Sequence, residues 1–291
     1  HSASRLADGK QLAIKITREP ISTNGSVEVS SAQSVGASAE LPAQVFWSEV
    51  KMLEAVQAES HPQIVTCLGF GMLPSPPHGY QGFIATELIP GIDMRRRLKG
   101  QSVSLDEVTK WSAQLAGALA HIHARSIVHR DVKLSNLMTT PAGDVMLIDF
   151  GLAYQIVDGQ HDENRSMRVG CAGFMAPETY REQPCEVSAD AFAFGQVLRR
   201  LLWRANPPAR SVRTRAYFHA LRWEILPTPS TYEDVHCAIY INPAWPGTHL
   251  RALRACSERR PERRPAMATL AKEFDECHAA AMKHGAANGK A

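Results

Sequence analysis

Three short motifs, in one order within the fifty residues from 129 to 178, restrict what this chain can become. His129-Arg130-Asp131 runs straight into Val132-Lys133-Leu134-Ser135-Asn136. Asp149-Phe150-Gly151 begins eighteen residues after Asp131, and Ala176-Pro177-Glu178 closes the segment. Any one tripeptide can arise by chance, but the three in this order and spacing hardly can. Taken singly, each acid here would be an ordinary turn or capping residue, and Lys133 a solvated surface charge. Their register makes them a candidate site.

The surroundings are those of a globular protein. With 291 residues, 44% of them hydrophobic, the chain can bury a substantial core in one bilobal unit or two small domains. No stretch approaches the roughly 20 apolar residues needed to span a bilayer. Cys67, Cys171, Cys185, Cys237, Cys256 and Cys277 are scattered without a CxxC pair, which points to free thiols rather than disulfides or zinc. A soluble, cytoplasmic protein is expected. The net charge of +3 hides an asymmetry: residues 195–265 hold thirteen arginines against five acids, 13 − 5 = +8, and the remainder sums to −5. That region is either a solvated helical face or a docking surface for an acidic partner. No aromatic or glycine pattern of a nucleic-acid module accompanies it.

Periodicity divides the chain in two. Leu12–Ile16 reads as a short strand, apolar apart from Lys15, after an Asp8-Gly9 pair suited to a hairpin turn. A Ser/Ala/Gly-rich stretch over about 17–39 reads as a flexible insert. Phe46, Val50, Leu53 and Val56 then fall at helical spacing, and Gly82–Leu88 is strand-like up to Pro90-Gly91. Beyond residue 90 the character is helical. Ser104 with Glu107 forms a capping box, and Leu105, Val108, Trp111, Leu115, Leu119 and Ile122 continue one apolar face. Further helical patterns lie near 188–203 and 265–283, separated by a Pro-rich stretch from Asn206 to Gly247, and a flexible tail is expected over 285–291.

The motifs of residues 129–178 resemble the catalytic loop, metal-binding motif and activation-segment end of eukaryotic protein kinases. The resemblance extends from about residue 5 to residue 280. It implies an α+β bilobal fold, with a small antiparallel β lobe carrying one helix (residues 1–90) and a larger, mainly helical lobe (91–284). By this resemblance Asp131 accepts the proton of the substrate hydroxyl, Lys133 contacts the transferring phosphate, and Asn136 and Asp149 hold Mg²⁺ on ATP. Leu12-Ala13-Ile14-Lys15 is similar to the family strand whose lysine grips the α- and β-phosphates, and Glu49 to that lysine's ion-pair partner. His61-Pro62-Gln63-Ile64-Val65 fits the segment after the helix. Thr86 takes the gatekeeper position, Glu87 to Ile89 the hinge to adenine, and Ala13 and Met138 the positions on either side of the purine. Leu53, Cys67, His129 and Phe150 fall where the family stacks an apolar spine. Asp190 matches the acid that anchors the catalytic loop, and Glu178 is expected to pair with Arg264.

Departures from the family pattern sharpen the reading. The glycine-rich loop that covers the phosphates should precede Lys15, and the chain opens on His1 too late to include it, so residues 1–291 alone are expected to show at most trace activity. The family's Gly-Thr reads Gly170-Cys171, so a Ser/Thr preference rests mainly on Lys133. The Gly170–Glu178 run looks closest to the tyrosine-kinase-like group. Arg130 marks a kinase whose activation segment is ordered by a phosphate, and Ser166 is the residue expected to carry it. The function implied is transfer of the γ-phosphate of MgATP to Ser/Thr hydroxyls of protein substrates. The alternative is a pseudokinase, a binding or scaffold module of the same fold without turnover.

Overall fold

The computed structural model describes residues 2–4, 11–17, 41–75, 79–157, 166–205 and 245–288. The Asp8-Gly9 turn, the insert beyond Thr17 and the Pro-rich stretch from 206 to 244 lie outside them. The fold is mixed α and β, and its contacts gather in two compact units: His1–Ser60 with Val65–Pro90, and His61–Ile64 with Gly91–Ala291.

The first unit is an antiparallel sheet with one helix. Strands β1 (Ser2–Ser4), β2 (Gln11–Ile16), β3 (Cys67–Pro74) and β4 (Tyr80–Glu87) lie in the order β1-β2-β4-β3. Helix α1 (Leu41–Gln57) buries Phe46, Val50, Leu53 and Val56, the residues set at helical spacing. Its close approach needs Gly82 on β4, because a Cβ there would sit 2.7 Å from the Phe46 ring. The pattern of residues 67–74 is blurred by an irregular register between Cys67 and Gly69, so β3 was not legible as a strand.

The second unit is built on helices. A short strand β5 (Ile92–Asp93) leads into α2 (Met94–Gly100), where the Asp93 carboxylate caps the Arg96 amide. Helix α3 (Leu105–His123) starts at the Ser104–Glu107 capping box and buries Val108, Trp111, Leu115, Leu119 and Ile122. Strands β6 (Ile127–Val128) and β9 (Tyr154–Gln155) pair, as do β5, β7 (Leu137–Thr139) and β8 (Val145–Leu147). After the short helix α4 (Pro177–Tyr180) comes α5 (Val187–Ala205), buried almost without a break from Ala189 to Leu202, as a helix in a core must be. Helices α6 (Gly247–Cys256) and α7 (Met267–Asn288) complete the unit. The tail expected from 285 is helical as far as Asn288; Ala286 and Ala287 are strong helix formers that extend α7. None of the described helices is long and apolar enough to cross a membrane.

Two buried polar contacts tie these helices together. The Arg264 guanidinium grips both carboxylate oxygens of Glu178, Nη2 at 2.7 Å, and also donates to the backbone oxygens of Glu258 and Ser188. Removing Arg264 strands a buried carboxylate, so Arg264→Ala should cost about 3–5 kcal/mol in chemical denaturation. A loss under 1 kcal/mol would show the pair to be dispensable. On α6, buried His249 places Nε2 3.1 Å from Thr109 Oγ1 of α3 and its ring edge-on to Phe274 at 5.2 Å. The Thr109 hydroxyl already donates to Leu105, so His249 Nε2 is the donor in this contact. Burial pushes its pKa down to about 4. Because the folded value lies below the unfolded one, the stability contributed by neutral His249 is complete above about pH 6.5 and lost as pH falls toward 4. Thermal midpoints should therefore decline between pH 6.5 and 5 in the native protein and decline less in His249→Leu; parallel profiles would refute the assignment.

Candidate active site

In the first unit, strand alternation puts Ala13 and Lys15 of β2 on one face of the sheet. Their cross-strand partners on β4, Thr86 and Ile84, lie on the same face. Lys15 Nζ lies 2.7 Å and 2.8 Å from the two carboxylate oxygens of Glu49, so the strand lysine and the helix acid form a bidentate pair. Glu49 is buried, whereas the Lys15 side chain is 55% exposed. The end of β4 is fixed by Thr66: Glu87 donates its amide to Thr66 O at 2.9 Å and accepts from Thr66 N through Oε1 at 2.8 Å. Ile89 just beyond is buried.

In the second unit the loop from His129 to Asn136 is held by one carboxylate. Asp190, fully buried on α5, accepts from the backbone amides of His129 (2.8 Å) and Arg130 (3.0 Å) and from His123 Nε2 (2.9 Å). Burial alone would raise its pKa. The hydrogen bond and charge of His123, with His129 and its amide, outweigh this and hold the carboxyl below the ordinary range. His129 is neutral by the same geometry: Nδ1 accepts from the Asp131 amide at 3.3 Å, Nε2 donates to Ile148 O at 3.3 Å, and burial lowers its pKa.

That anchoring delivers Asp131 with its two oxygens in different states. Oδ2 accepts from Lys133 Nζ at 2.6 Å and Asn136 Nδ2 at 2.9 Å, while Oδ1 is buried and has no hydrogen-bond partner among the described residues. An orphan carboxylate oxygen in a buried site is costly unless something arrives to donate to it. Asn136 spends its amide N–H on Asp131, so its amide oxygen is the atom left to act as acceptor or ligand. Asp149 is exposed and sits at φ 67, a strained conformation for a non-glycine residue, with the Gly151 amide 3.4 Å from Oδ1. Met138 lies on β7, half-buried. Among the described residues no cluster of three or more His, Cys, Asp or Glu could cage a metal. The donors present, one exposed carboxylate and one amide oxygen, suit a hard cation that keeps water or phosphate oxygens as its other ligands.

The segment from Ser166 to Tyr180 runs past this loop. Gly170 adopts φ 105, and a Cβ there would meet the Arg130 backbone oxygen at 2.5 Å and Asp131 Oδ1 at 4.0 Å. Cys171, half-buried, accepts from the Phe174 and Met175 amides through its backbone oxygen. The Arg130 guanidinium donates through Nε to Leu152 O at 2.6 Å and lies 5.2 Å from the Tyr154 ring. Ser166 is half-buried; much of the polar stretch before it lies outside the described residues. Three participants were not legible in the sequence. His123 was one residue of a long helix, and Arg168 over Tyr180 (4.5 Å) and Arg200 over Phe174 (4.0 Å) depend on contacts distant along the chain. Gly170→Ala combines the strained φ with a backbone clash beside Asp131, and should cost about 1–3 kcal/mol in stability. An unchanged unfolding midpoint would show that the close approach is not needed.

The model of the protein kinase domain family matches residues 7–274. The chain belongs to the protein kinase family, whose members act on protein substrates with ATP and a divalent metal. A probable serine/threonine-protein kinase of Dictyostelium discoideum, kinX, is 34% identical over 158 residues, 53% of this chain and 14% of that protein. The RasGEF domain-containing serine/threonine-protein kinase X of the same organism is 32% identical over 161 residues, 55% of this chain and 16% of that protein. Rhodopsin kinase of Homo sapiens is 34% identical over 124 residues, 43% of this chain and 22% of that protein. The chain thus spans between 14% and 22% of the length of these relatives.

Proposed function

We propose that this chain is the catalytic part of a protein kinase that transfers the γ-phosphate of MgATP to serine or threonine hydroxyls of protein substrates. The observation that carries the reading is Asp131, whose Oδ2 is held by Lys133 and Asn136 while Oδ1 is buried and without a partner among the described residues. A substrate hydroxyl donating to Oδ1 would satisfy that oxygen and be aligned for attack. As the new O–Pγ bond forms and the bond from Pγ to the bridging oxygen breaks, the hydroxyl proton passes to Oδ1 and ADP departs. Lys133 Nζ, beside the carboxylate, is the cation assigned to the transferring group, and supports Ser/Thr acceptors. Lys15, oriented by Glu49, suits the α- and β-phosphates; Ala13, Met138, Thr86, Glu87 and Ile89 are the residues assigned to adenine. Asp149 and Asn136 are the ligands assigned to Mg²⁺, which when bound neutralises phosphate charge.

The competing reading, a module of the same fold without turnover, is opposed by the presence of Lys15, Glu49, Asp131, Asn136 and Asp149 together. The test is a pair of variants in protein that also carries the phosphate-covering glycine-rich loop. Asp131→Asn should keep nucleotide affinity while turnover falls at least ~10²-fold, the usual size for a positioned base. Asp149→Asn should abolish the magnesium dependence of ATP binding. If ATP binds without magnesium dependence in the unmodified protein and no phosphate is transferred, the scaffold reading replaces this one.

Ser166 with Arg130 is the proposed regulatory pair. A phosphate adds roughly −1.5 to −2 charges and can accept a guanidinium in bidentate fashion. Arg130 commits Nε to Leu152 O and stacks on Tyr154, a pose in which its terminal nitrogens are fixed in direction. Active protein should carry phosphate on Ser166, and Ser166→Ala should lower activity with little change in thermal midpoint. Full activity with Ser166 unmodified by intact mass and peptide mapping ends the idea.

A further inference from the structure

A path of contacts leads away from Asp131 Oδ1 along a predominantly basic ledge. It starts at Gly170, against the Arg130 backbone oxygen and near Asp131 Oδ1. Three residues on, Gly173 O accepts from Arg200 Nη2 at 3.1 Å, and the same guanidinium lies 4.0 Å over Phe174. Arg204, one turn further along α5 on the same face, donates through Nη2 to Gln101 O at 3.3 Å, at the end of α2. Helix α2 then exposes Arg95, Arg96 and Lys99.

The segments on this path, 93–101, 170–176 and 196–205, carry seven basic residues and one carboxylate, 7 − 1 = +6. The carboxylate, Asp93, is already engaged as the cap of α2 and as the partner of Arg96. Arg199 is buried and Arg97 is paired with Glu107, yet the ledge remains basic without them. An ordinary solvated face mixes both signs. A predominantly basic surface ending at a candidate catalytic carboxylate attracts and orients anionic ligands.

We propose that this ledge selects protein substrates bearing anionic side chains, carboxylate or phosphate, on one flank of the acceptor hydroxyl. As a statement about substrates it rests on the phosphoryl-transfer reading; as a statement about binding it can be tested without turnover. A peptide is favoured over single-stranded nucleic acid because the latter stacks its bases on aromatic side chains. The exposed large aromatics among the described residues, Trp47, Phe70 and Tyr80, belong to the other unit.

The test measures binding of fluorescent peptides to the full 291-residue chain by anisotropy. The peptides share one serine and are flanked by Glu, Ala or Arg. The Glu peptide should bind at least about tenfold tighter than the Ala peptide at low ionic strength, with the advantage shrinking as salt rises. The charge reversal Arg95→Glu with Lys99→Glu, at two exposed positions, should remove that preference while leaving the thermal midpoint in place. Equal binding of the Glu and Arg peptides, no binding of the Glu peptide, or a preference that survives the reversal each overturns the proposal. So does a single-stranded oligonucleotide of equal charge that binds more tightly than the Glu peptide. Phosphorylation of the same peptides separates the two claims. With protein that also carries the phosphate-covering glycine-rich loop, an intact binding preference with no transfer refutes the kinase reading alone, and equal binding with transfer to every peptide refutes the ledge alone.

Discussion

Asp190 sits on α5 with no access to water, yet its carboxylate stays ionised because two backbone amides and His123 all donate to it. A buried charge is tolerated only when its hydrogen bonds are satisfied, and the cost of leaving it otherwise makes the arrangement nearly unique. The consequence is geometric. The amides of His129 and Arg130 are fixed, so Arg130 takes a positive φ of 62 and the chain turns to present Asp131. Everything local to the loop follows: the neutral tautomer of His129, the pairing of Asp131 with Lys133 and Asn136, and the one carboxylate oxygen left open.

The strain in that loop has to be balanced by rigid surroundings. Arg130 and Asp149 both occupy the left-handed region at non-glycine residues, conformations that persist only where neighbours over-determine them. The neighbours here are strongly held. His129 and Phe150 pack ring against ring at 4.9 Å, and α5 beneath them is buried on nearly every side. The Glu178–Arg264 pair fixes the end of the segment that begins at Gly170. In the first unit the same logic is smaller in scale: Phe46 over Gly82 sets the depth of α1, and that depth brings Glu49 to Lys15.

How much of this was legible beforehand depended on whether the signal was local. The Ser104–Glu107 capping box, the apolar stripe of α3 and the alternation of β2 are patterns of a few residues, and each element formed where its pattern lies. Lys15 and Glu49 were linked across thirty-four residues only because the surrounding motifs fixed the register. What escaped was set by long-range contact. The irregular register at Cys67 hid β3, α6 begins beside a Pro-rich stretch that masked it, and nothing around His123 distinguishes it from His121 two residues earlier. Gly170 could be seen as a glycine but not as one pressed against the Arg130 backbone.

Asp131 and the ledge beyond it illustrate a division of labour in charge. Close to the carboxylate, hydrogen bonds of fixed direction decide which oxygen is free, and a displacement of an ångström would undo them. Further out, along Arg200, Arg204 and α2, the side chains are exposed or half-buried, and their influence is a field rather than a set of bonds. A field acts over roughly a Debye length and tolerates small errors of position. Under the proposed function, precision is needed only where the carboxylate would meet one hydroxyl, and the burial of α5 supplies it there. The outer residues are left free to differ among chains that share the same inner geometry, so a change of substrate preference need not disturb the loop that Asp190 holds.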